Sequence, residues 1–424
     1  MQNKLQPRIN FSTGVSIAVS MVVGSGLFGL PGLILQQTSP GESILCWIVA
    51  ATISFPLVYI FAYLGTMYPV AEGVTKYAEI AFGKWALYSA SLLSCGALAI
   101  ALPAFFIVIG SYLAELLKLP SEQYNGICAI FVIIFSTLVN LNGPEKASLM
   151  NKIVIPATLI ITVCVTAIYL PKYYGENLRM FDSLKSGKIS LHRIWVGAAI
   201  AFWAFEGWGN LSFGLEEFKN PAKMITKIYL TSYLIIVLIY IPFIWTFAAI
   251  ASNGQINVTG LSGLQSLLGT GLVKKVLLFL ISGILISNSI SWVFGTSRIV
   301  YTTAGKGLLP KYIFRLNNNN LPVNSLVACA AYNCIAIILI IVFKIPTSQL
   351  FLLTTQNFII LYMVAIIAFL RSTKKRMHKL IGIAGLCGCC FLISGFSWHL
   401  VIPILFCLVG FYQYQKTQTS LSKA

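Results

Sequence analysis

Ten stretches of this chain run without a charged residue for 19 residues or more: 9–41, 43–71, 85–114, 123–144, 153–171, 228–273, 276–297, 316–343, 345–370 and 380–415. A helix that crosses a bilayer needs about 20 mostly apolar residues. The segment 194–215 is apolar apart from Glu206, and 380–415 is long enough for a hairpin of two short helices with a break near 394–399. The run 228–273 holds one helix and then a polar loop, Ser252 to Asn257. The expectation is an all-α integral membrane protein with about twelve spans. They lie near 12–36, 43–66, 86–117, 126–142, 153–171, 194–215, 226–251, 274–302, 323–343, 348–370, 380–396 and 398–414.

Only 9% of the residues are charged, whereas a soluble domain carries about 25%. A soluble enzyme, a disordered chain and a secreted disulfide scaffold are therefore excluded. The 29 Lys and Arg against 11 Asp and Glu would suggest nucleic acid in a soluble protein. Here the excess follows from the enrichment of cytoplasmic loops in basic residues, and no nucleic-acid partner is expected. With the N-terminus inside, 20 basic residues fall on the cytoplasmic side and 9 outside, five of those in the loop 172–193. Both termini are thus expected in the cytoplasm of a cell-membrane protein. The first apolar run is too long for a signal-peptide core. The ten cysteines lie mostly in apolar stretches, where they behave as small hydrophobes. Cys387, Cys389 and Cys390 have no His, Asp or Glu near them in sequence, so no metal or other cofactor is expected.

Two spans are interrupted. The first reads Met21-Val22-Val23-Gly24-Ser25-Gly26-Leu27-Phe28-Gly29-Leu30-Pro31-Gly32. Its G-x-G-x-x-G spelling lacks the strand before and the βαβ context of a dinucleotide site. The sixth span reads Phe202-Trp203-Ala204-Phe205-Glu206-Gly207-Trp208-Gly209-Asn210. Irregular backbone at membrane depth is tolerated only where it is buried in protein or lines a cavity. Glycine-interrupted spans in corresponding positions of two halves point to a transporter binding site. Glycines for close helix packing are the alternative. An unwound segment offers helix N-termini to a carboxylate and bare carbonyls to an ammonium. Both together suit a free α-amino acid.

Gly24-Ser25-Gly26-Leu27-Phe28 resembles the G-S-G-[IV]-F signature on the first helix of the amino acid–polyamine–organocation (APC) superfamily. Tyr68-Pro69-Val70-Ala71-Glu72-Gly73 is similar to its Y-P-x-x-G-G after the second helix, and Trp203–Pro221 resembles its sixth helix and following loop. Ser297-Arg298, Gly307–Lys311 and Pro322-Val323-Asn324 look like the end of its eighth helix and the loop behind it. The overall look is closest to compact bacterial amino-acid exporters and antiporters.

The resemblance implies a five-plus-five inverted repeat of the LeuT type with discontinuous helices 1 and 6. The repeats would cover about 12–171 and 194–370, with extra helices at about 380–414, in a single transmembrane domain 1–424. It implies alternating access and a substrate site lined by Val23, Gly24, Ser25, Gly26, Trp203, Ala204, Glu206, Trp208, Asn288, Ser289 and Trp292. Trp203 matches the aromatic residue that covers the substrate. The chain departs from the family at Glu72, where glycine is usual and which could pair with Lys76. It also departs near Thr158, where many sodium-independent relatives carry a lysine.

Glu206 is the one carboxylate deep in the spans. Acids there usually face a cavity and serve function. It could hold a cationic amino group, carry a coupled proton, or bond a free carbonyl of its own broken helix. The expected activity is proton-coupled or exchange transport of an amino acid, with a polyamine or cationic amine as the alternative substrate. A membrane enzyme would need a cluster of ionisable groups at one depth, and a channel would need repeated polar rings; the spans offer neither.

Overall fold

The structure, a computed structural model, describes residues 7, 9–173, 175, 179–185, 189–260, 263–268, 271–396 and 398–422. The side chains of 25, 121–123, 144–151, 153, 183, 185, 398 and 420–422 lie outside the described set.

Asn10 starts the first helix by accepting from Thr13 N at 2.9 Å, the usual way of satisfying one of the free N–H groups of a first turn. Helix α1 (Phe11–Val22) stops at Val23 and resumes as α2 (Ser25–Phe28) and α3 (Leu30–Leu35). Ser39 and Glu42 form a reciprocal capping box with Pro40 in the first turn, which opens α4 (Pro40–Met67). Then come α5 (Val74–Phe82), α6 (Lys84–Leu116), α7 (Ser121–Asn140) and α8 (Pro144–Lys172). The sixth span is α9 (Leu191–Phe202), a 3₁₀ turn Trp203–Phe205, and α10 (Trp208–Ser212). The remainder is α11 (Pro221–Asn253), α12 (Gly271–Gly305), α13 (Val323–Val342), α14 (Thr347–Ser372), α15 (Arg376–Ile393) and α16 (Val401–Ser422).

Among the described residues nine helices are long and apolar enough to cross a membrane. The first and sixth spans lie inside a sheath of the others: α1 packs on α8, α11 and α12, and α9 on α4 and α14. The outside is apolar too. Ile127, Phe131, Ile134 and Leu138 of α7 form an exposed stripe at helical spacing, a surface that water would not tolerate and acyl chains would.

One sequence expectation needs correction. Between the second and third spans Val74–Phe82 is helical and packs against α6 and α14. Lys76 pairs at 2.6 Å with Glu79, three residues on, rather than with Glu72. Gly73 turns there with φ +50°, and a Cβ on it would lie 2.5 Å from Ser212 Oγ. Only glycine lets this loop seat against the end of the broken sixth span.

The molecule is clasped at both ends. At one, Ile9 N donates to Glu217 O (2.8 Å) and Lys219 N to Ile9 O (2.9 Å), beside a buried Arg298–Glu217 pair at 3.1 Å. At the other, Gly260 N donates to Gly32 O at 2.8 Å, and Arg193 grips Glu42 through Nε and Nη2.

Candidate functional site

Breaking α1 at Val23 frees the carbonyls of its last turn. In an α-helix the carbonyls of Ser20, Met21 and Val22 would accept from residues 24, 25 and 26. Here each accepts from a side chain on another span: Ser20 O from Asn288 Nδ2, Met21 O from Trp292 Nε1 at 2.7 Å, and Val22 O from Tyr240 OH at 3.1 Å. Without such donors, each carbonyl would be left bare where hydrocarbon offers no replacement, at a cost of several kcal/mol. The glycines make room for these donors. A Cβ on Gly24 would lie 2.2 Å from Asn288 Oδ1.

The sixth span opens by a different device. Glu206 is extended (φ −77°, ψ 159°), and Gly207 sits at φ +127°, open only to glycine without strain. The two breaks face each other. A Cβ on Gly26 would meet Ala204 Cα at 2.7 Å, and one on Gly207 would meet Val22 Cγ2 at 3.0 Å. Tyr240 OH lies between them, 3.1 Å from Val22 O and 3.0 Å from Ala204 O. It has one proton for two acceptors, so only one carbonyl is satisfied at a time.

Trp203 is buried in an aromatic nest. Its ring lies nearly parallel to Trp292 at 5.4 Å and tilted against Phe351 (5.2 Å) and Phe358 (6.2 Å). Glu206 is fully buried; Oε2 accepts from Tyr362 OH, while Oε1 has no partner among the described residues. The amide groups of Asn210 and Gln356 are also buried without partners among the described residues. Asn210 and Tyr362 border a void of about 10 Å³, the space of about one water.

The structure thus gathers Val23, Gly24, Gly26, Trp203, Ala204, Glu206, Asn288 and Trp292 around the facing breaks. Ser25 has its backbone there, and its side chain lies outside the described residues. Ser289 points elsewhere, 2.5 Å from Ser136 on α7. Trp208 packs toward α11, against Tyr229 at 5.6 Å and Tyr233 at 6.5 Å. Thr158 hydrogen-bonds back to Val154 O of its own helix, and the first and eighth spans are tied to each other by Asn288, Ser291 and Trp292. Tyr240, Tyr362, Phe351 and Phe358 were not singled out from the sequence. For the two tyrosines the one signal is a hydroxyl inside an otherwise apolar run, which must find a partner when buried; the two phenylalanines carry none.

Residues 9–420 match the amino acid permease family. The chain is 23% identical over 427 residues to the uncharacterized amino acid permease YecA of Bacillus subtilis, covering 99% of this chain and 97% of that one. It is 21% identical over 415 residues to the L-methionine/branched-chain amino acid exporter YjeH of Escherichia coli, covering 95% and 94%. Among solved structures it superposes on MhsT in complex with L-phenylalanine with a TM-score of 0.70 at 12% identity, over 96% of this chain and 99% of that chain. The chain therefore belongs to the amino acid permease family of the APC superfamily: a multi-pass membrane transporter of the LeuT-type fold and not an enzyme.

Proposed function

We propose that this protein is a secondary transporter that carries a free amino acid across the cell membrane by alternating access, with both termini in the cytoplasm. The observation that carries the proposal is the meeting of two broken spans, with an unpartnered Glu206 oxygen and the Trp203–Trp292 stack beside it. The substrate carboxylate goes to the backbone N–H groups of Ser25 and Gly26 at the start of α2, ahead of Leu27 and Phe28, whose N–H groups bond to Gly24 O. The amino group competes with Asn288 and Tyr240 for the carbonyls they hold. Binding then exchanges contacts between spans, and release restores them. The two clasps open in turn. Five spans from about 12–171 and five from 194–370 form the inverted repeat, and the helices of 380–414 flank it.

A second reading is a cationic substrate, a basic amino acid or a polyamine. Glu206 Oε1 favours it, since a buried carboxylate oxygen without a donor suits an ammonium. In a third role the same carboxyl carries the coupled proton.

The test is counterflow in proteoliposomes, screened over the twenty amino acids and common polyamines with and without a proton gradient. Saturable, substrate-specific exchange is expected; its absence for every compound overturns carrier function. Glu206→Gln then separates the roles. Loss of cationic substrates alone supports binding, and loss of proton-driven accumulation with exchange retained supports coupling. A variant with unaltered transport and pH dependence leaves Glu206 structural.

A further inference from the structure

A cavity of about 340 Å³ opens between α4 and α11, on the outer side of the two breaks. That volume is within the range of small-molecule sites. Its mouth is framed by Ile48 and Ile241, exposed by 55% and 60%. Its floor is Trp47, Phe205 and Tyr240, all nearly buried. Thr52, on the wall, spends its hydroxyl on Ile48 O at 2.7 Å. An apolar cavity of this kind does not hold water.

We propose that this cavity is a lipid site, taking one acyl chain of a membrane phospholipid from the leaflet on the side of the loop 172–190. Three observations select that occupant. The mouth lies on helices that span the bilayer and is continuous with their exposed apolar residues Phe55, Leu234 and Leu238, so what meets it is an acyl chain. It lies roughly 6–18 Å along α4 from the Pro40 end, within the hydrocarbon of that leaflet. The indole N–H of Trp47 is buried without an acceptor among the described residues, and a phospholipid brings ester oxygens as well as a chain.

The floor connects the site to the transport machinery. Trp47, Phe205 and Tyr240 form an edge-on trio, with centroids 6.3, 5.7 and 5.4 Å apart. Phe205 belongs to the 3₁₀ turn of the broken sixth span, and Tyr240 holds the carbonyls of both breaks. A chain seated here braces that trio, so lipid occupancy bears on how easily the breaks rearrange.

The experiment is native mass spectrometry of the full-length protein after detergent delipidation and addition of a defined phosphatidylglycerol and phosphatidylethanolamine mixture. Wild type should retain one phospholipid per chain. Ala51→Phe and Val237→Phe fill the cavity from opposite walls and should each lower retention at least fivefold; either one suffices if the other does not fold. Ile335→Phe, on the exposed face of α13, should leave retention unchanged. With phospholipids brominated on the acyl chain, tryptophan quenching should weaken in the two filled variants. Equal retention in wild type and both filled variants overturns the site. So does no retained lipid in wild type, or equal loss in Ile335→Phe.

Discussion

The amide of Asn288 fills the space that a side chain at position 24 would need: a Cβ on Gly24 would stand 2.2 Å from its Oδ1. The first break and the eighth span are therefore fitted to one another. Gly24→Ala has to push Asn288 off Ser20 O, leaving a bare carbonyl in the core. Transport should fall at least tenfold with the protein still inserted, because burying an unsatisfied polar group costs about 1–3 kcal/mol. Uptake assays normalised to membrane-inserted protein check this. Near-normal transport by Gly24→Ala would show that the fit is dispensable.

The buried Arg298–Glu217 pair joins the eighth span to the loop behind the sixth. Arg298 also lies 3.9 Å over the Phe294 ring and donates to Ser297 Oγ at 2.9 Å. Removing one partner of a buried pair costs about 3–5 kcal/mol, whereas replacing both with apolar residues is often neutral. Arg298→Met should lower the melting temperature in detergent by many degrees, and adding Glu217→Leu should restore most of it. A single variant that melts like wild type would mean the pair adds nothing.

Lys306 follows the last turn of α12 and donates to Thr302 O at 3.3 Å. Burial pushes its ammonium from the ordinary 10.5 down to about 8, against the opposing attraction of Glu72. The folded protein thus gives up this proton at lower pH than the unfolded chain does. Stability from this group rises between about pH 8 and the unfolded value, and below pH 8 the cost of the buried charge is felt in full. Lys306→Met removes that cost. The variant's melting-temperature advantage should be largest near pH 7 and shrink as pH passes 8. A gap that stays constant to pH 10 would rule this out.

Orientation rests on the distribution of basic residues. In a background without native cysteines, single cysteines at Ile189 and Lys311, both exposed, should react with an impermeant thiol reagent from opposite sides of an intact cell. Ile189 should label from outside. Reaction of both from one side would sink the topology.

The breaks were legible in the sequence because glycines inside an apolar run contradict a continuous helix. Gly24, Gly26 and Gly207 each prove to sit where a Cβ would clash or strain the backbone. What filled the breaks was not legible. Tyr240 and Tyr362 look like any aromatic of a spanning helix, and their partners lie 218 and 156 residues away. Asn288 and Ser289 are neighbours in sequence, yet about 100° apart around a helix, so one reaches the first break and the other Ser136. The helix Val74–Phe82 is too short for a span and carries Lys76 and Glu79, so a count of charge-free runs passes over it, although it packs against α6 and α14.

Trp203 separates packing from substrate contact. It stacks on Trp292 and touches Phe351 and Phe358, so Trp203→Ala loses packing whatever else it does, about 3–5 kcal/mol for a buried tryptophan. Trp203→Phe keeps an aromatic face in the same nest and spares most of that. As a cover over the substrate, the ring adds apolar and cation–π contact worth about 0.5–2 kcal/mol once water is excluded. That is a change of several-fold in half-saturation. The expectation is a several-fold higher half-saturation for Trp203→Ala, a smaller rise for Trp203→Phe, and membrane levels of Trp203→Phe equal to wild type. Half-saturation unchanged in a well-expressed Trp203→Ala would return the residue to packing alone. Loss of protein from the membrane in both variants would show that the nest is needed for folding before it is needed for transport.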